Sequence, residues 1–433
     1  MWSVFMFDFK NIFRALRNRN YRLFFTGQSL SLIGTWMQQI ALSWLVYRMT
    51  NSPFLLGVVG FAGQVPAFFL SPVAGIIADR YPKRSALVIT QALSMLQASS
   101  LAFLVLSDQI VVWHIIALSV VLGIVNGFDM SIRQAFTIEM VDNKEDLSNA
   151  IALNSSIVNL ARLVGPSIAG ILIATVGEGL CFLVNAVSYG PVIFCLLAMH
   201  VRLSSIPHKR SHFLAELRTG FAYVIKFSPI RHILFLLGIV SFLGTPYQVL
   251  MPIFARDIFL GGPQTLSLLV AMAGAGALTG AVYLASRKSI VGLGKMIAVS
   301  SGMFGLGLMI FSFSHIFWFS LGVVFMAGFF MMVQMAASNT ILQTISDEDK
   351  RGRVMSFYTM AFMGMVPFGS LAAGSLAAKI GAPWTLCLGG LCCMLGAVGF
   401  ARQLPGVRKV IRPIYIKKGI IPEVVQGIQS ASG

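Results

Sequence analysis

The stretch FLLGVVGFAGQVPAFFLSPVAGIIADRYPKR, residues 54–84, decides the architecture of this chain. From Phe54 to Ala78 it carries no charge. A helix needs about 20 such residues to cross the roughly 30 Å hydrocarbon core of a bilayer. The run then ends on Asp79, Arg80, Lys83 and Arg84, whose charges belong in water. This is the pattern of a membrane crossing that finishes in a basic turn.

The pattern recurs along the whole chain. Apolar spans are predicted at 23–47, 54–78, 86–106, 111–132, 150–176, 180–200, 233–255, 265–286, 293–313, 316–339, 354–378 and 383–401. Each must be a helix, because a strand edge facing lipid would leave backbone amides unpaired. The composition agrees: 57% of the residues are hydrophobic and 11% charged, against roughly a quarter charged in soluble domains. The expected fold class is therefore all-α and integral to the membrane, with twelve transmembrane helices.

The formal charge of +17 would suggest nucleic acid in a soluble protein, so the placement of the cations decides its meaning. Of the 32 Lys and Arg, 28 fall in the two termini and in alternate loops on one side. The other loops hold only Arg48, Arg256 and Lys379, and Arg162 stands inside a span. The positive-inside rule then places both termini and the central connection in the cytoplasm, with membrane lipids as the neighbours of the basic surface. No basic stretch is long or aromatic-interleaved enough for a nucleic-acid groove. The five cysteines all lie in apolar spans, and His208 and His212 lack ligating neighbours, so no metal is expected. The basic N-terminus leads into a span too long for a signal peptide, and it is expected to remain as the first helix.

The one long polar connection divides the chain. The expected organisation is a six-helix bundle at 1–200, a cytoplasmic linker at 201–232, a second six-helix bundle at 233–401 and a basic cytoplasmic tail at 402–433. Within the linker, 213–227 reads as an amphipathic interfacial helix. The halves echo each other. Gly165, Gly170 and Gly177 in the fifth span have the spacing of Gly369, Gly374 and Gly381 in the eleventh, and acidic turns at Asp142 and Asp347 precede them. Two bundles in parallel relation follow from such a repeat.

The turn Gly75-Ile-Ile-Ala-Asp79-Arg80-Tyr-Pro-Lys83-Arg84 resembles the loop motif of the major facilitator superfamily, with Pro82 where that pattern has glycine. Its counterpart in the second half, Gly280 to Lys288, keeps the glycine and the basic residues but lacks the acid. A narrower resemblance rests on Gly34-Thr35-Trp36-Met37-Gln38-Gln39, on Arg133-Gln134-Ala135-Phe136, and on Asn149 to Gly170 with its Gly165-Pro166 pair. These look like the exporter branch that includes the enterobactin exporter and macrolide efflux proteins. The resemblance implies a transporter with two bundles around a central cavity, and no enzyme.

The fifth span supports a functional face independently. Ser155, Asn159 and Arg162 advance by four and three residues and share one side of a helix, which Pro166 continues. A cation there costs several kcal/mol, of order 2 to 4, unless it faces a cavity or a partner. Arg162 is open to two readings: a cavity cation for an anionic group such as a catecholate or carboxylate, or a structural ion pair with Asp129. Asp129 itself is read either as a gate residue paired with Arg80 or Arg84 or as a proton carrier, with Asp79 and Arg133 in the same group. Gln28, Trp36, Gln39, Asn126, Gln248, Gln334 and Tyr358 complete the polar residues expected along the path, and Gly165, Gly170, Gly369 and Gly374 are expected to pack helices.

No nucleotide-binding loop is present, so transport must draw on a gradient. The expected function is export of a small amphiphilic molecule, a siderophore or similar metabolite or drug, by proton antiport and alternating access, with no cofactor. The expected form is a monomer in the bacterial inner membrane. Siderophore uptake, lipid or lysophospholipid flipping and a non-transporting receptor are the alternatives.

Overall fold

A computed structural model of the chain describes residues 13–141, 144–199, 222–287, 289–348 and 350–421. Among these, nearly every residue is helical and none is in a strand. A 3-10 turn at Arg14–Arg17 leads into α1 (Arg19–Thr50), α2 (Pro53–Arg80), α3 (Lys83–Leu106), α4 (Val112–Glu139), α5 (Lys144–Val176) and α6 (Glu178–Ala198). The second half holds α7 (Ser228–Ile258), α8 (Pro263–Ala285), α9 (Leu293–Ser312), α10 (Phe317–Ile345), α11 (Arg351–Ile380) and α12 (Ala382–Lys417). The side that carries the Lys- and Arg-rich loops is called the basic face below, and the other the opposite face.

Eleven of these helices are long and apolar enough to cross a membrane. The exception is α1, which has 32 residues but dilutes its apolar content with Asn20, Arg22, Gln28, Gln38 and Gln39. Its polarity turns partly inward. Asn185 of α6 donates to Gln38 at 2.7 Å, and Gln38 donates to Gln97 of α3 at 3.1 Å, so that three helices share one chain of amides.

Local chemistry sets the helix ends. Proline stands in the first turn of α2, α7, α8 and α12, where its missing N–H is unneeded. The last glycine of each repeated triplet does one job twice. Gly177 joins α5 to α6 at φ +86°, and Gly381 joins α11 to α12 at φ +85°, a region that disfavours side chains.

The other glycines of the triplets match as well. A Cβ on Gly165 would meet Trp36 and the Ile33 carbonyl of α1, and one on Gly369 would meet Phe242 and Pro246 of α7. Each therefore packs α5 or α11 against the first helix of its own half. A Cβ on Gly170 would meet Ser267 and Gln264 of α8, and one on Gly374 would meet Pro53 and Gly57 of α2. These contacts cross between the halves, and they generate two equivalent seams, α5–α8 and α2–α11.

Both seams run from the opposite face to mid-depth. One begins at Gly57 and Gly374 and ends where the Phe68 ring covers Gly364, and the other begins at Gly170 and Ser267 and ends at Arg162 and Gly274. Beyond isolated contacts, α4 and α10 pack only within their own bundles among the described residues. Among the described residues, no third seam of this kind joins the bundles toward the basic face.

Three wide π-helical turns interrupt the second half, at Val240–Gly244 and Phe254–Ile258 in α7 and at Met360–Gly364 in α11. They flank Pro246, Pro252 and Pro367.

One expectation falls largely outside the described residues and one helix boundary differs. The linker helix expected at 213–227 lies outside the described residues except for its last part, where 222–226 is helical. There the Tyr223 hydroxyl donates to Asp347 at 3.3 Å and the Lys350 ammonium sits 4.8 Å from the Tyr223 ring centre. The Lys350 hydrogen bond holds the Asp347 carboxyl below its ordinary range. The tail expected from 402 is not a separate segment at its start, because α12 continues unbroken to Lys417. Leu404, Val407, Ile411 and Tyr415 recur on one buried face and prolong the helix along the bundle.

Candidate functional site

The mid-depth end of the α5–α8 seam is where the polar chemistry gathers. Arg162 of α5 holds its guanidinium carbon 5.4 Å from the ring centre of Trp36 on α1. A Cβ at Gly274 of α8 would lie 3.1 Å from the Arg162 carbonyl, so the absence of a side chain there lets the helices close on it. From α7, the phenol of Tyr247 comes within electrostatic reach of the cation, with Gln248 alongside. Two helices of each bundle thus meet at one arginine.

The site is incompletely satisfied. Tyr247 is 1% exposed. The Arg162 Nε is buried without a hydrogen-bond partner. Leaving such groups unmade costs about 1 to 3 kcal/mol each, more for a charged one. Among the described residues no carboxylate lies within ion-pair distance of Arg162. A cation over an aromatic ring, with one of its donors unpaired, is chemically suited to an anionic or acceptor-rich group.

The ion pair with Asp129 considered for Arg162 is absent. Asp129, 5% exposed, accepts from Thr90 at 2.9 Å and Gln91 at 2.7 Å, and its second oxygen pairs with Arg133 one turn along α4. These partners belong to α3 and α4, so the network closes within its own bundle. Arg84 does not join it either. Its guanidinium donates to the carbonyls of Leu196 and Leu197 at 2.7 and 2.5 Å, filling acceptors at the end of α6. The side chains of Asp79 and Arg80 lie outside the described residues. Asp129→Asn turns an amide N–H toward Arg133 in place of the carboxylate, and it is expected to destabilise the first bundle by about 1.5 to 3 kcal/mol. A melting curve in detergent that matches wild type would refute this structural role.

The remaining expected residues divide. Ser155 is exposed and Asn159 half-buried, each bonded only to a carbonyl of its own helix, and both continue the Arg162 face toward the open side. Asn126 and Gln39 are exposed and Gln248 is half-buried. Gln28 is buried within the first bundle. In the second bundle the Tyr358 hydroxyl donates to the Met335 carbonyl at 3.2 Å, beside Gln334, whose buried Nε2 has no partner. Pro166 is buried inside a continuous α5.

Sequence reasoning missed the closure above Arg162. At the opposite face the Tyr47 hydroxyl of α1 bonds to Asp257 of α7, while Arg256 donates to Asn51 at 2.6 Å and to the Tyr47 carbonyl at 3.4 Å. Arg48 pairs with Glu178 at 2.8 Å within the first bundle. The signal was present, since Arg48 and Arg256 are two of the three cations in the opposite loops.

Residues 11–411 match the family described as transmembrane secretion effector. The chain is 28% identical over 351 residues to the staphyloferrin A transporter of Staphylococcus aureus, spanning 81% of this chain and 87% of that protein. It is 22% identical over 389 residues to macrolide efflux protein A of Streptococcus pyogenes, spanning 86% and 93%. It is 25% identical over 394 residues to the multidrug efflux pump Tap of Mycobacterium tuberculosis, spanning 88% and 92%. Among solved structures, the nucleoside transporter NupG superposes with a TM-score of 0.70 at 12% identity over 89% of this chain and 99% of that one. A bacterial homologue of the iron transporter ferroportin in an inward-facing state gives 0.63 at 16% identity over 89% and 98%. At such identities these likenesses establish the fold alone.

Proposed function

Because this chain belongs to the transmembrane secretion effector family of the major facilitator superfamily, and is a membrane transporter rather than an enzyme, we propose that it exports a small amphiphilic molecule bearing an anionic group. A siderophore or a similar metabolite or drug fits that chemistry. The observation that carries the reading is Arg162, held at mid-depth against Trp36 with an unpaired Nε and, among the described residues, no acid beside it.

The basic face is cytoplasmic in this reading, by the positive-inside rule, and both chain ends lie in the cytoplasm of a bacterial inner-membrane protein. The conformation then opens to the cytoplasm and is shut outside by the Tyr47–Asp257 and Arg256–Asn51 ties. A molecule entering between α4, α5, α10 and α11 meets Asn126, Ser155 and Asn159 before Arg162. Its anion displaces no counter-charge, so binding completes the guanidinium and brings the basic-face halves together. Rocking about the two seams releases it outside, and protons moving inward drive the cycle. The transporter works as a monomer with membrane lipids around it.

Inside-out vesicles under an acid-inside gradient test the direction. Labelled catecholate and carboxylate siderophores are expected to accumulate in them and to leak out when the gradient is collapsed. Accumulation only in right-side-out vesicles would make the protein an importer, and none in either would refute siderophore transport.

A further inference from the structure

In the second-half copy of the basic loop motif, Arg287 and Lys295 have no carboxylate partner among the described residues. In the first half the motif is satisfied internally, with Lys83 paired to Glu139 at 2.6 Å and Arg84 donating to two carbonyls. The α8–α9 connection contains no acid between Arg287 and Lys295. Arg287 donates only to uncharged acceptors, the Met296 sulfur at 2.7 Å and the Val291 carbonyl at 3.2 Å, and Lys295 is exposed with no ion pair among the described residues.

These two cations stand at the rim of a groove of about 460 Å³ between α8, α9 and α10. Below the rim its walls are apolar, with Tyr283 on one side, Val299 on the other, and Phe330 and Val333 of α10 as the floor. Tyr283 is 44% exposed and Val299 50%, so the groove opens outward along the bundle surface. The rim lies at the basic-face ends of α8 and α9, where a bilayer places its headgroups, and the apolar part descends toward its hydrocarbon.

We infer that this groove is a binding site for one phospholipid with an anionic headgroup. The phosphate sits between Arg287 and Lys295, and an acyl chain lies along Val299, Phe330 and Val333. Charge complementarity selects the occupant: two cations without a carboxylate partner favour a headgroup of net negative charge, and a zwitterionic headgroup brings its own cation into their field. A soluble phosphate compound would use the rim alone and leave the apolar groove empty.

The test uses the full-length protein in detergent, titrated with phosphatidylglycerol and read by native mass spectrometry. One retained phosphatidylglycerol per chain is expected, with phosphatidylcholine retained at least about tenfold more weakly. The double variant Arg287→Gln/Lys295→Gln is expected to weaken phosphatidylglycerol retention by about tenfold or more, as two surface cations are lost. The double variant Arg408→Gln/Lys409→Gln removes the same charge from the exposed side of α12 and is expected to leave retention unchanged. Equal retention of the two lipids, wild-type retention in the α8–α9 variant, an equal loss in the α12 variant, or competition by glycerol phosphate at matched concentration would each overturn the site.

Discussion

Arg162→Ala is expected to cut transport by about a hundredfold while the protein stays in the membrane at wild-type abundance. Truncating one member of a desolvated charge pair with a ligand costs about 2 to 5 kcal/mol, and each 1.4 kcal/mol is tenfold. The protein itself loses little. A cation over an aromatic face contributes about 0.5 to 2 kcal/mol, and the variant also removes a buried guanidinium nitrogen that has no partner. Were Arg162 half of a buried ion pair, alanine would strand a carboxylate at a cost of about 3 to 5 kcal/mol and abundance would fall. Arg162→Lys keeps the charge but gives up the planar stacking on Trp36, so its activity should fall between alanine and wild type. Vesicle uptake of labelled siderophore alongside fluorescence-detected size exclusion separates the outcomes. Normal transport in the alanine variant, or its disappearance from the membrane, would remove Arg162 from the binding role.

A leucine at Gly374 should fold and fail. The Cβ alone would lie 2.6 Å from the Pro53 carbonyl and 2.8 Å from the Gly57 Cα, backbone atoms of the other bundle that cannot swing aside. Each bundle keeps its own packing, so the clash is relieved by opening the α2–α11 seam. The expected result is a folded transporter wedged apart on the opposite face, with transport down by about tenfold or more, since overpacking costs about 1 to 3 kcal/mol. A cysteine reporter at Ser267, 2% exposed on the other seam, should resist a membrane-impermeant thiol reagent in the parent and react in the Gly374→Leu background. Gly276→Leu makes the contrast, because its Cβ would strike Phe325 and Phe329 backbone within its own bundle. That variant should be lost from the membrane. Normal transport by Gly374→Leu, or equal loss of both proteins, would refute the assignment of Gly374 to a moving seam.

The crossings were legible because lipid demands long apolar runs, whatever their order. Helix ends were not, since hydropathy reads only the part facing hydrocarbon. Val112–Glu139 outruns its expected span because Arg133 and Glu139 sit in a helix that leaves the bilayer, and α12 outruns its own for the same reason. The glycine triplets were legible as a repeat, and the same contacts in both halves explain their spacing. Arg162 announced itself as a charge in an apolar run. Tyr247 did not, because a tyrosine among apolar residues carries no such signal. The partner of Asp129 was available locally, four residues along a helix at Arg133, whereas Tyr47 and Asp257 meet from 210 residues apart and no spacing rule joins them.

The wide turns of α7 and α11 have no counterparts among the described residues of α1 and α5. Their mechanical meaning is an uneven division of labour. The guanidinium and its Trp36 ring ride on unbroken helices and form the anvil of the site. The compliance then belongs to the facing wall, because Tyr247 stands between the two wide turns of α7 and shifts with whatever they permit.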